Sequence, residues 1–173
     1  MGWFRKSGPR DALAVTMTGV KLGDRFLSVG ARDVTLIAAL ATKAGVTGRA
    51  CVVDADPARA TSVAGDVEAE GALVEAAQAE WDRLPYDAAA FDVALARDVF
   101  STLAPDLKRR CAADVLRVLR GGGRLVVVEG TKRARVDPES LTSALKDAGF
   151  AAVRVLAEAE QTIFVEGIKK AAS

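Results

Sequence analysis

The residues able to do chemistry in this chain are carboxylates and arginines, because the 173 residues include 23 Asp and Glu and 24 Lys and Arg but no histidine. Acid–base catalysis by an imidazole is therefore excluded. Cys51 and Cys111 are far apart, so neither a CxxC nor an HExxH metal spacing can be written, and no metal site is expected. Each cysteine lies in an apolar periodic segment and reads as a reduced core residue. The polar groups of interest follow short apolar runs: Gly30-Ala31-Arg32 after RFLSV, Asp54 after RACVV, Ala96-Arg97-Asp98 within and after FDVALA, and Glu129 with Lys132-Arg133 after RLVVV. Asp98 is placed to take a proton and Arg97 to hold an anion, or the two close a loop as an ion pair. Glu129, Lys132 and Arg133 either address a substrate or form a solvated basic loop.

These groups need elements to position them. From residue 25 onward, β-branched runs alternate with segments of helical period, the signature of βαβ units and a mostly parallel sheet. Strands are expected at Arg25 to Val29, Arg49 to Asp54, Ala72 to Ala77, Phe91 to Ala96 and Arg124 to Glu129. The third rests on alternation alone, because Ala and Glu have little β preference. Asp33 is placed to cap a helix carrying Val34, Ile37, Ala38 and Ala41 on one face, which stops at Gly45. Asp56 and Pro57 open a poorer helix. Pro105 to Leu119 forms an amphipathic helix with Leu107, Cys111, Val115, Val118 and Leu119 on one face, ended by Gly121-Gly122-Gly123. The run RLVVVE is apolar enough for a strand buried on both faces. Asp137-Pro138-Glu139 starts a helix that turns Leu141, Leu145 and Ala148 inward and ends at Gly149. Ala152 to Leu156 and Thr162 to Ile168 read as a hairpin across the turn Ala157 to Gln161.

A net charge of +1 and 50% hydrophobic residues describe a globular chain. The charge balance argues against a protein that works by neutralising nucleic-acid phosphates, and the hydrophobic content against disorder. No stretch approaches the roughly 20 apolar residues of a membrane span. The start, Met1-Gly2-Trp3-Phe4-Arg5-Lys6, lacks the apolar core of a signal peptide, so a cytoplasmic location is expected. Trp3 and Phe4 are expected to fold back onto the chain. The organisation expected is one domain over residues 1–173, with an arm and short helix over 1–24 and the core over 25–170.

Four segments in order resemble class I S-adenosylmethionine-dependent methyltransferases: Gly23-Asp24-Arg25-Phe26-Leu27-Ser28-Val29-Gly30, Val53-Asp54-Ala55-Asp56-Pro57, Leu84-Pro85-Tyr86-Asp87 through Phe91-Asp92-Val93, and Arg117-Val118-Leu119-Arg120-Gly121-Gly122-Gly123-Arg124-Leu125-Val126-Val127-Val128-Glu129. The likeness is nearest to the small-molecule branch related to ubiquinone and menaquinone biosynthesis. It implies an α/β fold, a Rossmann-like three-layer α/β/α sandwich. Its sheet would have about seven strands in the order 3-2-1-4-5-7-6, strand seven antiparallel, with S-adenosyl-L-methionine held outside the carboxyl ends of the strands.

By this resemblance, Gly30, Ala31 and Arg32 form the loop against the methionine part of the cofactor. Asp54, followed by Ala55, accepts hydrogen bonds from the ribose diol, since a carboxylate offers acceptors for both hydroxyls. Glu80 accepts from the adenine amine, Trp81 covers the ring, and Ala96, Arg97 and Asp98 face the sulfonium and the substrate. Alternatives stand beside these roles: Asp54 as a solvent-facing acid or helix cap, Glu80 as a solvated charge and Trp81 as a hydrophobic lid. The first loop departs from the family pattern, for Ser28 replaces its acid and only Gly30 survives of its glycines. A left-handed Arg32 would cost about 1–2 kcal/mol.

The chain has little sequence with which to cover an acceptor, so a small-molecule acceptor in an open cleft, or a protein partner supplying a lid, is implied. A methyltransferase-like domain serving as a structural or interaction subunit is the alternative. A nicotinamide-dependent reductase is disfavoured, because Gly30-x-Arg32-x-x-Thr35 is not GxGxxG and Tyr86, the only tyrosine, has no Tyr-x-x-x-Lys context.

Overall fold

Burial on both faces shapes the centre of the sheet. In the computed structural model, which describes residues 9–131, 136–159 and 161–173, the element order is α1 (Pro9–Thr18), β1 (Arg25–Val29), α2 (Val34–Ala44), β2 (Arg49–Asp54), α3 (Pro57–Ala69), β3 (Glu75–Gln78), β4 (Phe91–Arg97), a 3-10 turn (Phe100–Thr102), α4 (Pro105–Val118), β5 (Leu119–Gly130), α5 (Pro138–Ala148), β6 (Ala151–Ala159) and β7 (Thr162–Ile168). One seven-stranded sheet has the order β3-β2-β1-β4-β5-β7-β6. Its pairs are parallel except where β7 meets β5 and β6. This is the expected Rossmann-like sandwich. The expectations for Trp3-Phe4 and for Lys132-Arg133 lie outside the described residues.

Alternation along β5 sends Leu125 and Val127 into the cluster with Cys111, Val115, Leu141 and Leu145. Val126 and Val128 enter the opposite cluster with Ala14, Leu36 and Leu40. Helices thus cover both faces, as the apolar β5 requires. Helix α2 buries two faces rather than one, because Ile37, Ala38 and Ala41 pack with Val52 and Val63 while Leu36, Leu40 and Ala44 pack with Phe26. Burial pushes the Cys51 thiol up to about 11 and the Cys111 thiol up to about 12, so both stay protonated and inert. No helix among the described residues is long and apolar enough to cross a membrane.

Several boundaries differ from the sequence reading. The third strand begins at Glu75 rather than Ala72, since Ala72 N–H instead closes the end of α3 on the Val67 carbonyl. Helix α3 is longer than its composition suggests and runs to Ala69, with Val63 and Val67 buried. Helix α4 ends at Val118, and the three glycines lie inside β5. There the register jumps between Phe91↔Leu119 and Val93↔Arg124, and a side chain on Gly123 would meet the Arg120 carbonyl at 2.9 Å. The glycines therefore make a bulge at the start of the strand. Finally, β6 extends to Ala159, because Ala157, Glu158 and Ala159 pair with Phe164, Ile163 and Thr162.

Candidate functional site at the carboxyl edge of the sheet

The strand ends bring most of the singled-out residues to one edge. Gly30 leaves β1 with φ +100°, and its N–H donates to the Val53 carbonyl at 2.7 Å. A Cβ there would sit 2.6 Å from Val99 Cγ2. Glycine is required both by the backbone angle and by the closeness of the loop that follows β4. Ser28 donates its hydroxyl to the Gly30 carbonyl at 2.7 Å and so braces the turn from within. Arg32 is exposed, and among the described residues the only positive φ angles outside glycine are at Ala89, Asp98, Ala152 and Gln161. Arg32 is not among them, so the cost of a left-handed conformation does not arise there.

Asp54 is fully buried at the end of β2. Its Oδ2 accepts the Ala31 N–H at 2.9 Å and Arg59 Nε at 3.1 Å, while Oδ1 accepts the Asp56 N–H at 2.8 Å and Arg59 Nη2 at 3.1 Å. Burial alone would raise its pKa, but the Arg59 guanidinium and the two N–H groups outweigh burial and hold it below the usual value. Asp54 therefore joins the loop after β1 to the start of α3. The reading of Asp54 as a solvent-facing acid is not what the structure shows. Asp56 caps α3, accepting from the N–H groups of Ala58 and Arg59.

Glu80 and Trp81 follow β3 directly, and the Ala79 N–H donates to the Asp54 carbonyl at 3.2 Å. Glu80 is exposed, whereas Trp81 is half-buried against the cluster containing Leu84 and Phe91. The segment is pinned to α4: the Leu84 N–H donates to Asp114, and Arg117 donates to the carbonyls of Leu84 and Tyr86.

At the end of β4, Ala96 is buried beside Val29. Arg97 pairs through Nε with Asp33, the cap of α2, at 3.1 Å, while its distance to Asp98 is 3.8 Å. The loop-closing pair is thus chiefly Arg97–Asp33, not Arg97–Asp98. Asp98 adopts φ +52° and accepts the Gly130 N–H at 2.8 Å, tying β4 to β5 with its side chain half exposed. Glu129 is fully buried under the 3-10 turn, its Oε1 accepting the Ser101 N–H at 3.2 Å and its Oε2 having no hydrogen-bond partner among the described residues. Burial, and more weakly the charge of Asp98, raise its pKa despite the Ser101 hydrogen bonds.

Gly30, Ala31, Asp54, Ala55 and Ala96 converge, Glu80 and Trp81 lie one step beyond Asp54, and Arg32 is exposed, with no hydrogen bond or ion pair from its side chain among the described residues. Two participants were missed in the sequence, Arg59 and the Asp33 partner of Arg97. One signal for Arg59 was available. A cation in the first turn of a helix opposes the helix dipole and needs a nearby acid, and Asp54 lies just upstream.

The model of a methyltransferase domain matches residues 27–127. A S-adenosylmethionine-dependent methyltransferase from Aquifex aeolicus superposes with a TM-score of 0.79 at 19% identity, covering 91% of this chain and 88% of that one. The cyclase SpnF gives 0.75 at 17% identity, with 94% and 81% covered. A complex of the Haloferax volcanii Trm112 methyltransferase activator with its candidate methyltransferase gives 0.71 at 15% identity, with 94% and 89% covered. No curated protein matches this chain. At these identities the structural likeness establishes the fold.

Proposed function

The chain belongs to the methyltransferase domain family, and on that premise we propose that it binds S-adenosylmethionine over the carboxyl ends of β1, β2 and β4 and methylates a small-molecule acceptor. The observation that carries this reading is the bond from the Ala31 N–H to Asp54, which holds a glycine-initiated loop against an acid at the end of β2. That is the arrangement needed to hold the methionine part and the ribose of the cofactor side by side. The residues fit the cofactor with one exchange, in which Arg59 gives way at Asp54.

The cofactor supplies a methyl carbon activated by a positively charged sulfur, a chemistry that needs no histidine. The chain supplies alignment and exclusion of water. Asp54 accepts from the ribose hydroxyls, with Gly30, Ala31 and Ala55 forming the surrounding backbone. Glu80 accepts from the adenine amine, and Trp81, anchored on its buried side, presents the remainder of its ring. Ala96 keeps the end of β4 slim where the reacting groups meet. Arg97 is committed to Asp33, so the half-exposed Asp98 carboxylate is the group that addresses the acceptor and takes its proton. Arg32, exposed beside the loop, is free to meet an anionic portion of either ligand.

Fold alone does not decide the reaction, since SpnF is a cyclase on the same architecture. Methyl transfer rests on the family. The activator complex among the similar structures supports a protein partner as the source of a lid, and the domain reading of residues 1–173 remains part of the proposal. A thermal-shift series tests the cofactor step. Millimolar S-adenosylhomocysteine raises Tm in a concentration-dependent manner if the reading holds. An unchanged Tm across the series counts against it.

A further inference from the structure

We propose that Arg59 is a latch on the ribose-binding carboxylate, so that cofactor binding proceeds by exchange of the Arg59 guanidinium for the ribose diol at Asp54. This rests on the cofactor reading above and concerns the control of that site. Ionised Asp54 has about four acceptor positions. All are taken: the N–H groups of Ala31 and Asp56 and the Arg59 fork divide evenly between its two oxygens. A diol brings two donors, and no acceptor capacity remains for them.

The two backbone donors cannot leave without opening the ends of β1 and β2. Arg59 can leave, because its side chain is 36% exposed and begins in the first turn of α3. It also has somewhere to go. Arg59 Nη1 lies 3.3 Å from Asp56 Oδ2, and Asp56 is 40% exposed, so a guanidinium that rotates outward keeps one acid partner. The departing charge is therefore not stranded near the positive end of the helix dipole. The latch has two seats, Asp54 when the site is empty and Asp56 when the diol is bound. Its consequence is an affinity set below what the loop and the acid would otherwise provide, and a preference for ligands whose ribose offers both hydroxyls to displace a bidentate cation.

Calorimetric titration of the full chain with S-adenosylhomocysteine and with its 2′-deoxy analogue tests the latch in the wild type, Arg59→Ala and Arg59→Lys. Arg59→Ala is expected to bind S-adenosylhomocysteine about three- to fivefold more tightly than the wild type, as removal of a partly exposed competing ion pair implies. Arg59→Lys, which keeps the charge but loses the fork, falls between them. The gain shrinks with the 2′-deoxy analogue, a dependence that general loosening of α3 would not produce. Wild-type binding together with equal or weaker binding by folded Arg59→Ala and Arg59→Lys overturns the latch alone. Binding by none of the three proteins overturns the cofactor reading and the latch with it.

Discussion

Gly30 combines two constraints at the residue scale, a φ of +100° and a Cβ position 2.6 Å from Val99. Gly30→Ala is expected to lower unfolding free energy by about 2–3 kcal/mol in urea titrations, adding backbone strain to a clash that must push the loop after β4 away. Asp54 was legible because an acid at a strand end, before a capped and proline-initiated helix, is a local pattern. Arg59 was legible only as a first-turn cation in need of an acid, since which acid it meets depends on how α3 rotates over β2, and that is set by Val63 and Val67 packing on Val52. Arg32 shows the opposite failure: the strain considered for it is absent, because its φ is not positive, and a motif comparison cannot reveal that.

At the scale of elements, the end of α2 nearest the site is held by Asp33, which accepts from the Leu36 N–H and pairs with Arg97. Asp33→Ala removes a cap and frees Arg97 from its partner. The expected loss is about 1–2 kcal/mol, read as a lower urea midpoint with unchanged slope. The caps of α2 and α3 at Asp33 and Asp56 were legible, as were the start of α5 at Asp137 and its end at Gly149, because these signals are local chemistry. The glycine triplet was misread. Three glycines after a helix resemble a stop, but the β5 ladder recruits them once Asp92 and Arg120 close in from the neighbouring backbone. The edge strands β3 and β6 were likewise blurred, since their residues are mostly exposed and pairing partners rather than apolar alternation set their limits.

Across the whole molecule, depressed carboxyl groups at both ends of the sheet couple stability to acid. Asp92 lies between Arg25 and Arg120, and although burial acts to raise its pKa, these partners and the Arg25 N–H lower it to about 2. Asp54 is lowered at the opposite edge. A carboxyl whose folded pKa lies below the unfolded value of about 3.9 contributes stability that is fully present above the unfolded value. That contribution disappears as the pH falls through the folded one. Unfolding free energy is therefore expected to fall steeply between about pH 4 and pH 2, and Asp92→Asn is expected to flatten that limb by about 2 kcal/mol.

The sheet order was implied by the family resemblance that the four motifs carry, whereas the alternation of β and α segments by itself indicated only a mostly parallel sheet. Calorimetric titration of the wild type with S-adenosylhomocysteine tests whether the edge those strands share is the cofactor site. The account predicts saturable binding of one molecule per chain, lost or greatly weakened in a folded Asp54→Ala variant. Absence of binding at millimolar concentration to protein shown to be folded, or binding indifferent to Asp54, contradicts it.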